Sequence, residues 1–230
     1  MLDFSRFEYL SFDCYGTLID WESGILGYLR PLLRSKGCNV SDAQILTLFS
    51  ESEPRHQDAR YRSYREVLAA VMRDFGREFR VEFTGDEVNG LAESIRNWER
   101  FPDTVPALKR LQPRYKLAVL SNIDDDLFAL TAPKLEVQID CVVTAQQVQS
   151  YKPSLHNFET LLHRLGIRKD RLLHVAESLY HDVVPARRLG IATVWVNRRQ
   201  GRPAAATKLV AAHSDLEVPT VAALADLAVS

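Results

Sequence analysis

Apolar residues in this chain fall into two rhythms. Four short runs, Tyr9-Leu-Ser-Phe-Asp13, Lys116-Leu-Ala-Val-Leu-Ser121, Leu172-Leu-His-Val-Ala176 and Ala192-Thr-Val-Trp-Val196, each give way to polar residues. Runs of that length, bounded by loop residues, predict buried strands. Cys141-Val-Val-Thr144 is a weaker fifth. Between them, apolar positions recur at helical spacing over Thr104 to Leu111, Asn157 to Leu165 and Val183 to Leu189, with Gly166 and Gly190 placed as C-terminal caps. Strands alternating with helices predict an α/β fold, a Rossmann-like doubly wound parallel sheet.

The alternation stops between Trp21 and Trp98. That stretch carries helical patterns over Ile25 to Leu33, Asp42 to Phe49, Tyr64 to Phe75 and Asp86 to Asn97, and no convincing strand. The expected organisation is a discontinuous core, residues 1–20 and 99–230, with a helical cap domain, residues 21–98, inserted after the first strand over the strand ends. Pro203 to Ala206 reads as a loop, and the carboxyl-terminal end returns to helix.

Bulk properties narrow the function classes. A chain of 230 residues with 46% hydrophobic content can bury a sizeable core. With 29 basic and 30 acidic residues there is no net field to attract nucleic acid or an acidic membrane surface. The Arg-rich stretch Arg55 to Arg65 is expected on the solvated side of a helix. Cys14, Cys38 and Cys141 are odd in number and widely spaced, which matches neither a disulfide framework nor a zinc pattern and points to a reducing compartment. No leader pattern opens the sequence and no apolar run has membrane length, so the expected location is the cytoplasm.

In an open parallel sheet the ligand sits beyond the carboxyl ends of the strands. The polar residues expected there are Asp13, Tyr15 and Thr17 after one strand, Ser121 and Asn122 after another, Lys152 after a third, and Glu177 and Asp182 after a fourth. Taken singly each has a structural explanation: an Asp at a strand end is often a turn or cap, and Ser121-Asn122 resembles an ordinary turn. Together they supply a carboxylate nucleophile, a cation to keep it ionised, hydroxyls to hold a substrate and further acids.

Phe12-Asp-Cys-Tyr-Gly-Thr-Leu18, Leu120-Ser-Asn122, Tyr151-Lys-Pro153 and Glu177 to Asp182 resemble, in order and spacing, the four signature motifs of the haloacid dehalogenase superfamily. The first of them resembles the L-2-haloacid dehalogenase branch, whereas phosphatases of the superfamily usually carry Asp-x-Asp. A phosphatase benefits from an acid two residues after its nucleophile, because an alkoxide leaving group needs a proton. A phenol, pKa about 10, is a poor substitute at Tyr15. Halide needs no proton to leave, nor does the amine of a protonated strained ring. The longer strings Asp13 to Glu22, Leu120 to Asp124, Ser150 to Pro153 and Ala176 to Asp182 resemble the subgroup containing (S)-azetidine-2-carboxylate hydrolase.

The resemblance implies that Asp13 attacks the α-carbon of a small carboxylic acid, that Lys152 keeps Asp13 ionised, and that water then hydrolyses the aspartyl ester. It implies that Thr17, Ser121 and nearby amides hold the substrate carboxylate, with Tyr15, Asn122 and Glu177 also facing the substrate. Asp182 would orient Lys152 or the hydrolytic water, or simply cap a helix. No cofactor is expected, and the resemblance alone suggests a homodimer. Three departures stand out. Where such dehalogenases carry an arginine beside the halide, this chain reads Phe49-Ser-Glu-Ser-Glu-Pro-Arg55, with Glu51 the residue expected in that place, or Arg55 or Arg60 substituting. Phe158 replaces a usual tyrosine. Glu177 and Asp182 resemble the acidic pair of magnesium-dependent phosphatases, so the rival reading is a phosphatase with Mg²⁺ held by Asp13, Glu177 and Asp182. A second rival is a noncatalytic binder of small acids. His174 and His181 lack an accompanying Ser or Cys nucleophile motif and are expected to be packing or surface residues.

Overall fold

The structure, a computed structural model, describes residues 2–57, 60–200, 206 and 210–230. Of the loop expected over Pro203 to Ala206, only Ala206 falls among them. At the centre of a six-stranded sheet lies β1 (Tyr9–Phe12). On one side come β2 (Lys116–Ser121) and β3 (Cys141–Thr144); on the other, β4 (Leu172–Ala176), β5 (Ala192–Val196) and β6 (Leu216–Val218). Neighbouring strands all pair in parallel. β6 was not foreseen: it is three residues long, pairs with β5 alone, and carries too few apolar positions to show a period.

Burial on both faces explains why these strands read as unbroken apolar runs. Leu117 and Val119 of β2 join the core containing Leu108 and Leu224, while Ala118 and Leu120 turn to the opposite face with Phe158, Leu161 and Ala186. Those contacts come from α5 (Thr104–Leu111) and α10 (Val221–Ala228) on the first face, and from α8 (Leu155–Leu165) and α9 (Val184–Leu189) on the second. Gly166 and Gly190 end α8 and α9 at φ 64° and 78°, the left-handed conformation that favours glycine. Two short helices, α6 (Asp125–Thr131) and α7 (Ala145–Val148), complete the connections around β3.

Between β1 and α5 the chain forms α1 (Trp21–Ser35), α2 (Asp42–Gln57), α3 (Tyr64–Phe79) and α4 (Gly85–Ser94). Capping boxes, Ser63 with Glu66 and Thr84 with Glu87, start α3 and α4. Asp124, just beyond β2, also accepts from the backbone amides of Tyr64 and Arg65, which ties the start of α3 to the end of the sheet. α2 runs eight residues past the expected end at Phe49. Its buried face continues with Ser52, Glu53 and Gln57, so the apolar period stops while the helix does not. Arg55 to Arg65 accordingly spans the end of α2 and the start of α3 rather than one helix face, although Arg55, Arg60 and Arg62 do face solvent. Among the described residues, no helix is long and apolar enough to cross a membrane.

Candidate active site

Register sets the stage. Phe12 of β1 lies level with Val119 of β2 and Val175 of β4, so Asp13, Ser121 and the residues after Ala176 emerge together at the carboxyl edge. The strand order reverses direction at β1, the position where such sheets open a crevice. Asp13 sits in it, 7% exposed. Its Oδ1 accepts a hydrogen bond from the Lys152 ammonium at 2.9 Å and its Oδ2 accepts one from the Thr17 hydroxyl at 2.8 Å. Lys152 Nζ also donates to Asp182 Oδ1 at 2.7 Å and to the Leu120 carbonyl at 3.0 Å, so three acceptors surround it in a site where it is 2% exposed.

Burial alone would push the Lys152 ammonium down, but Asp13 and Asp182 hold it above the ordinary lysine value. Burial likewise opposes ionisation of Asp182, yet Lys152 and His174 keep its carboxyl below the usual range. For Asp13 burial dominates: it pushes the carboxyl up, with Lys152 opposing and the Asp182 charge adding to the rise. The Asp13 anion thus depends on its neighbours. Behind them, His174 Nε2 lies 2.9 Å from Asp182 Oδ1 and its Nδ1 lies 2.8 Å from the Ser11 hydroxyl, with Phe158 packed edge-on against the imidazole. His174 is therefore a packed residue that fixes Asp182, as expected for it.

The cavity beside Asp13 has a volume of about 40 Å³. Tyr15, Ser121, Asn122, Lys152 and Asp182 line it, as the sequence suggests. Ser121 Oγ is buried without a protein partner, a costly state unless a ligand supplies one. The Tyr15 hydroxyl is 2.8 Å from Thr131 Oγ1, and burial pushes its phenol well above the ordinary range. Trp21, Glu53, Tyr64, Ser178 and His181 complete the walls. Sequence reasoning assigned none of these five to the site, and only the buried polar face of α2 could have signalled Glu53.

Several expected roles need correction. Thr17 is fully buried, donates a hydrogen bond to Asp13 and accepts one from the Glu177 amide at 2.9 Å, so its hydroxyl orients Asp13 and is not free for a substrate carboxylate. Asn122 lines the cavity and in addition brackets the Lys152 backbone, donating to its carbonyl at 3.0 Å and accepting from its amide at 2.7 Å, which positions the lysine. The Glu177 side chain does not line the Asp13 cavity; it faces a neighbouring one with Glu22, Arg198 and Arg199. Glu51 is exposed, and neither Arg55 nor Arg60 lines the Asp13 cavity.

Asp13, Glu177 and Asp182, the residues expected to hold Mg²⁺ in the phosphatase alternative, do not face one common space. Lys152 stands between Asp13 and Asp182 and donates to both, while Glu177 faces the neighbouring cavity, where burial together with the Glu22 charge pushes its carboxyl up to about 8. Among the described residues, no cluster of three or more carboxylate, imidazole or thiol groups is placed to hold a metal ion.

Comparison with known proteins agrees with this geometry. The profile of the haloacid dehalogenase-like hydrolase family matches residues 10–196. (S)-2-haloacid dehalogenase 4A of Burkholderia cepacia is 24% identical over 200 residues, covering 84% of this chain and 83% of that one. The crystal structure of a defluorinating L-2-haloacid dehalogenase superposes with a TM-score of 0.83 at 17% identity, covering 97% of this chain and 96% of the other. That of the Xanthobacter autotrophicus L-2-haloacid dehalogenase with chloropropionic acid covalently bound superposes with a TM-score of 0.76 at 20% identity, covering 96% and 98%. A doubly wound sheet with a lysine-paired aspartate at the end of β1, and a family match over most of the chain, place this protein among the haloacid dehalogenase-like hydrolases.

Proposed function

We propose that this hydrolase displaces a leaving group, halide or strained-ring amine, from the α-carbon of a small 2-substituted carboxylic acid, without a cofactor. The observation that carries the reading is the Asp13–Lys152–Asp182 cluster with Tyr15, not an acid, two residues after the nucleophile. An Asp13 oxygen forms a bond to the α-carbon as the leaving group departs with the bonding pair, giving an aspartyl ester and inversion at carbon. Ser121, whose hydroxyl lacks a partner, takes the substrate carboxylate. Water then adds to the ester carbonyl; the 2-hydroxy acid leaves with one proton from that water, the other passes to solvent, and the Asp13 carboxylate is restored. Lys152 favours the Asp13 anion before attack and after release, and Asp182 holds Lys152 in place. Residues 21–98 serve as the cap: α2 contributes Glu53 and α3 contributes the aromatic ring of Tyr64 to the walls around the nucleophile.

The covalently bound chloropropionic acid of the Xanthobacter relative supports a 2-halo acid as one substrate type. The string resemblance supports (S)-azetidine-2-carboxylate as the other. The deciding experiment measures turnover of (S)-2-chloropropionate, (S)-azetidine-2-carboxylate and p-nitrophenyl phosphate, with Mg²⁺ and with EDTA. Turnover of either carboxylic acid, unaffected by EDTA and abolished in Asp13→Asn, is expected. Phosphate release that requires Mg²⁺, with no turnover of either acid, would overturn the proposal.

A further inference from the structure

The mechanism above makes no use of the acid buried opposite the nucleophile. Glu53 lies on α2, is 4% exposed, and shares the 40 Å³ cavity with Asp13. The Tyr64 hydroxyl donates to its Oε1 at 2.6 Å and fixes the carboxyl group in place. Among the described residues that line the cavity, Lys152 is the permanent cation, and its charge is already shared between Asp13 and Asp182. No arginine is among them. A halo acid brings one more negative charge and releases another as halide; a cyclic amino acid arrives as a zwitterion with a cationic ring nitrogen.

Resting on the proposed α-carbon displacement, we infer that Glu53 determines specificity by pairing its carboxylate with the protonated ring nitrogen of the substrate, selecting a strained cyclic amino acid over a halo acid. Burial first, and the Asp13 charge in part, push the empty-site carboxyl up to about 7. A cation bound beside it draws the group back to its anion. In the step itself Asp13 bonds to the α-carbon, the carbon–nitrogen bond breaks, and its electron pair stays on nitrogen, which becomes a neutral primary amine still tethered to the product. That amine then takes a proton from solvent. The pairing holds in the bound substrate and, while the carbon–nitrogen bond is only partly broken and the nitrogen keeps its charge, in the transition state, so its contribution falls on KM rather than on kcat. A departing chloride gains charge in the same step, so Glu53 opposes it.

The test compares the wild type with Glu53→Gln on (S)-azetidine-2-carboxylate and (S)-2-chloropropionate. Loss of one partner of a buried charge pair predicts a fall on the order of 10²-fold in kcat/KM for the cyclic amino acid, carried by KM. Turnover of the chloro acid is expected to hold or rise. An equal fall on both substrates, or no change on the cyclic amino acid, would overturn the inference and leave the Asp13 reading intact. So would a wild type that turns over only the chloro acid; turnover of neither acid overturns the Asp13 reading itself and the inference with it. Should the variant not fold, inhibition of the wild type by (S)-proline and by (S)-tetrahydrofuran-2-carboxylate decides the matter, since the two rings match in shape and differ in the cationic nitrogen. Proline is expected to bind more tightly; equal or reversed affinity overturns the inference.

Discussion

Replacing Lys152 with methionine keeps the length and apolar stem of the side chain and removes its charge. Its ammonium stands 2.9 Å from Asp13 Oδ1 and 2.7 Å from Asp182 Oδ1. At an effective dielectric constant of about 20, a charge pair at the first of these distances is worth roughly 6 kcal/mol. Burial already pushes this carboxyl up, so without the opposing cation the Asp13 anion is disfavoured further and the group takes up a proton more readily. Turnover of whichever acid the wild type accepts should fall by roughly 10³-fold or more, the order to which several kcal/mol of lost charge pairing corresponds, and recover in part as pH rises. Stability should fall by about 3–5 kcal/mol at neutral pH, because two buried carboxylates lose their partner, and less where one of them takes up a proton. Steady-state turnover at several pH values, with urea denaturation of the same samples, measures both effects. Turnover within tenfold of the wild type at pH 7 would refute the claim that Lys152 keeps the nucleophile ionised.

Glu53 also predicts a pH dependence of folding. Its proton leaves near 4.5 in the unfolded chain and near 7 in the folded one, so between those values the unfolded state binds fewer protons. Stability therefore falls as pH rises through that window, by up to about 3 kcal/mol from this group. Glu53→Gln should flatten the change, read as urea midpoints between pH 4.5 and 8; an unchanged slope would contradict the elevated value. On α1, a Cβ added to Gly24 runs into the indole of buried Trp98. Gly24→Ala should cost about 1–3 kcal/mol by overpacking, measured by thermal or urea unfolding, and wild-type stability would show that the two helical segments can part without cost.

The likeness between expectation and structure is greatest where the determinants are local. Four strong strands emerge as read, because burial on both faces forces continuous apolar runs at Leu117 to Leu120 and Leu172 to Ala176. Gly166 and Gly190 mark helix ends through backbone conformations that other residues avoid. Asp13, Lys152 and Asp182 were legible as a group since each follows a strand, and strand ends in a parallel sheet must converge. β6 escaped notice, being too short for any period.

Alone, the sequence determined the layered α/β architecture, the helical character of residues between Trp21 and Trp98, and the set of polar residues gathered at the carboxyl edge, because apolar periodicity and strand-end position are properties of neighbouring residues. Which of those polar groups face a ligand was decided by tertiary contacts. Thr17 commits its hydroxyl to Asp13 and the Glu177 amide, Asn122 lines the cavity while bracketing the Lys152 backbone, and Glu177 turns into the next cavity. Glu53 rather than Glu51 enters the site because α2 continues beyond its apolar stripe, and the partners that make a buried acid tolerable, Tyr64 foremost, come from a different helix. Such pairings join residues distant in sequence, and a one-dimensional pattern carries no record of them until the chain has folded.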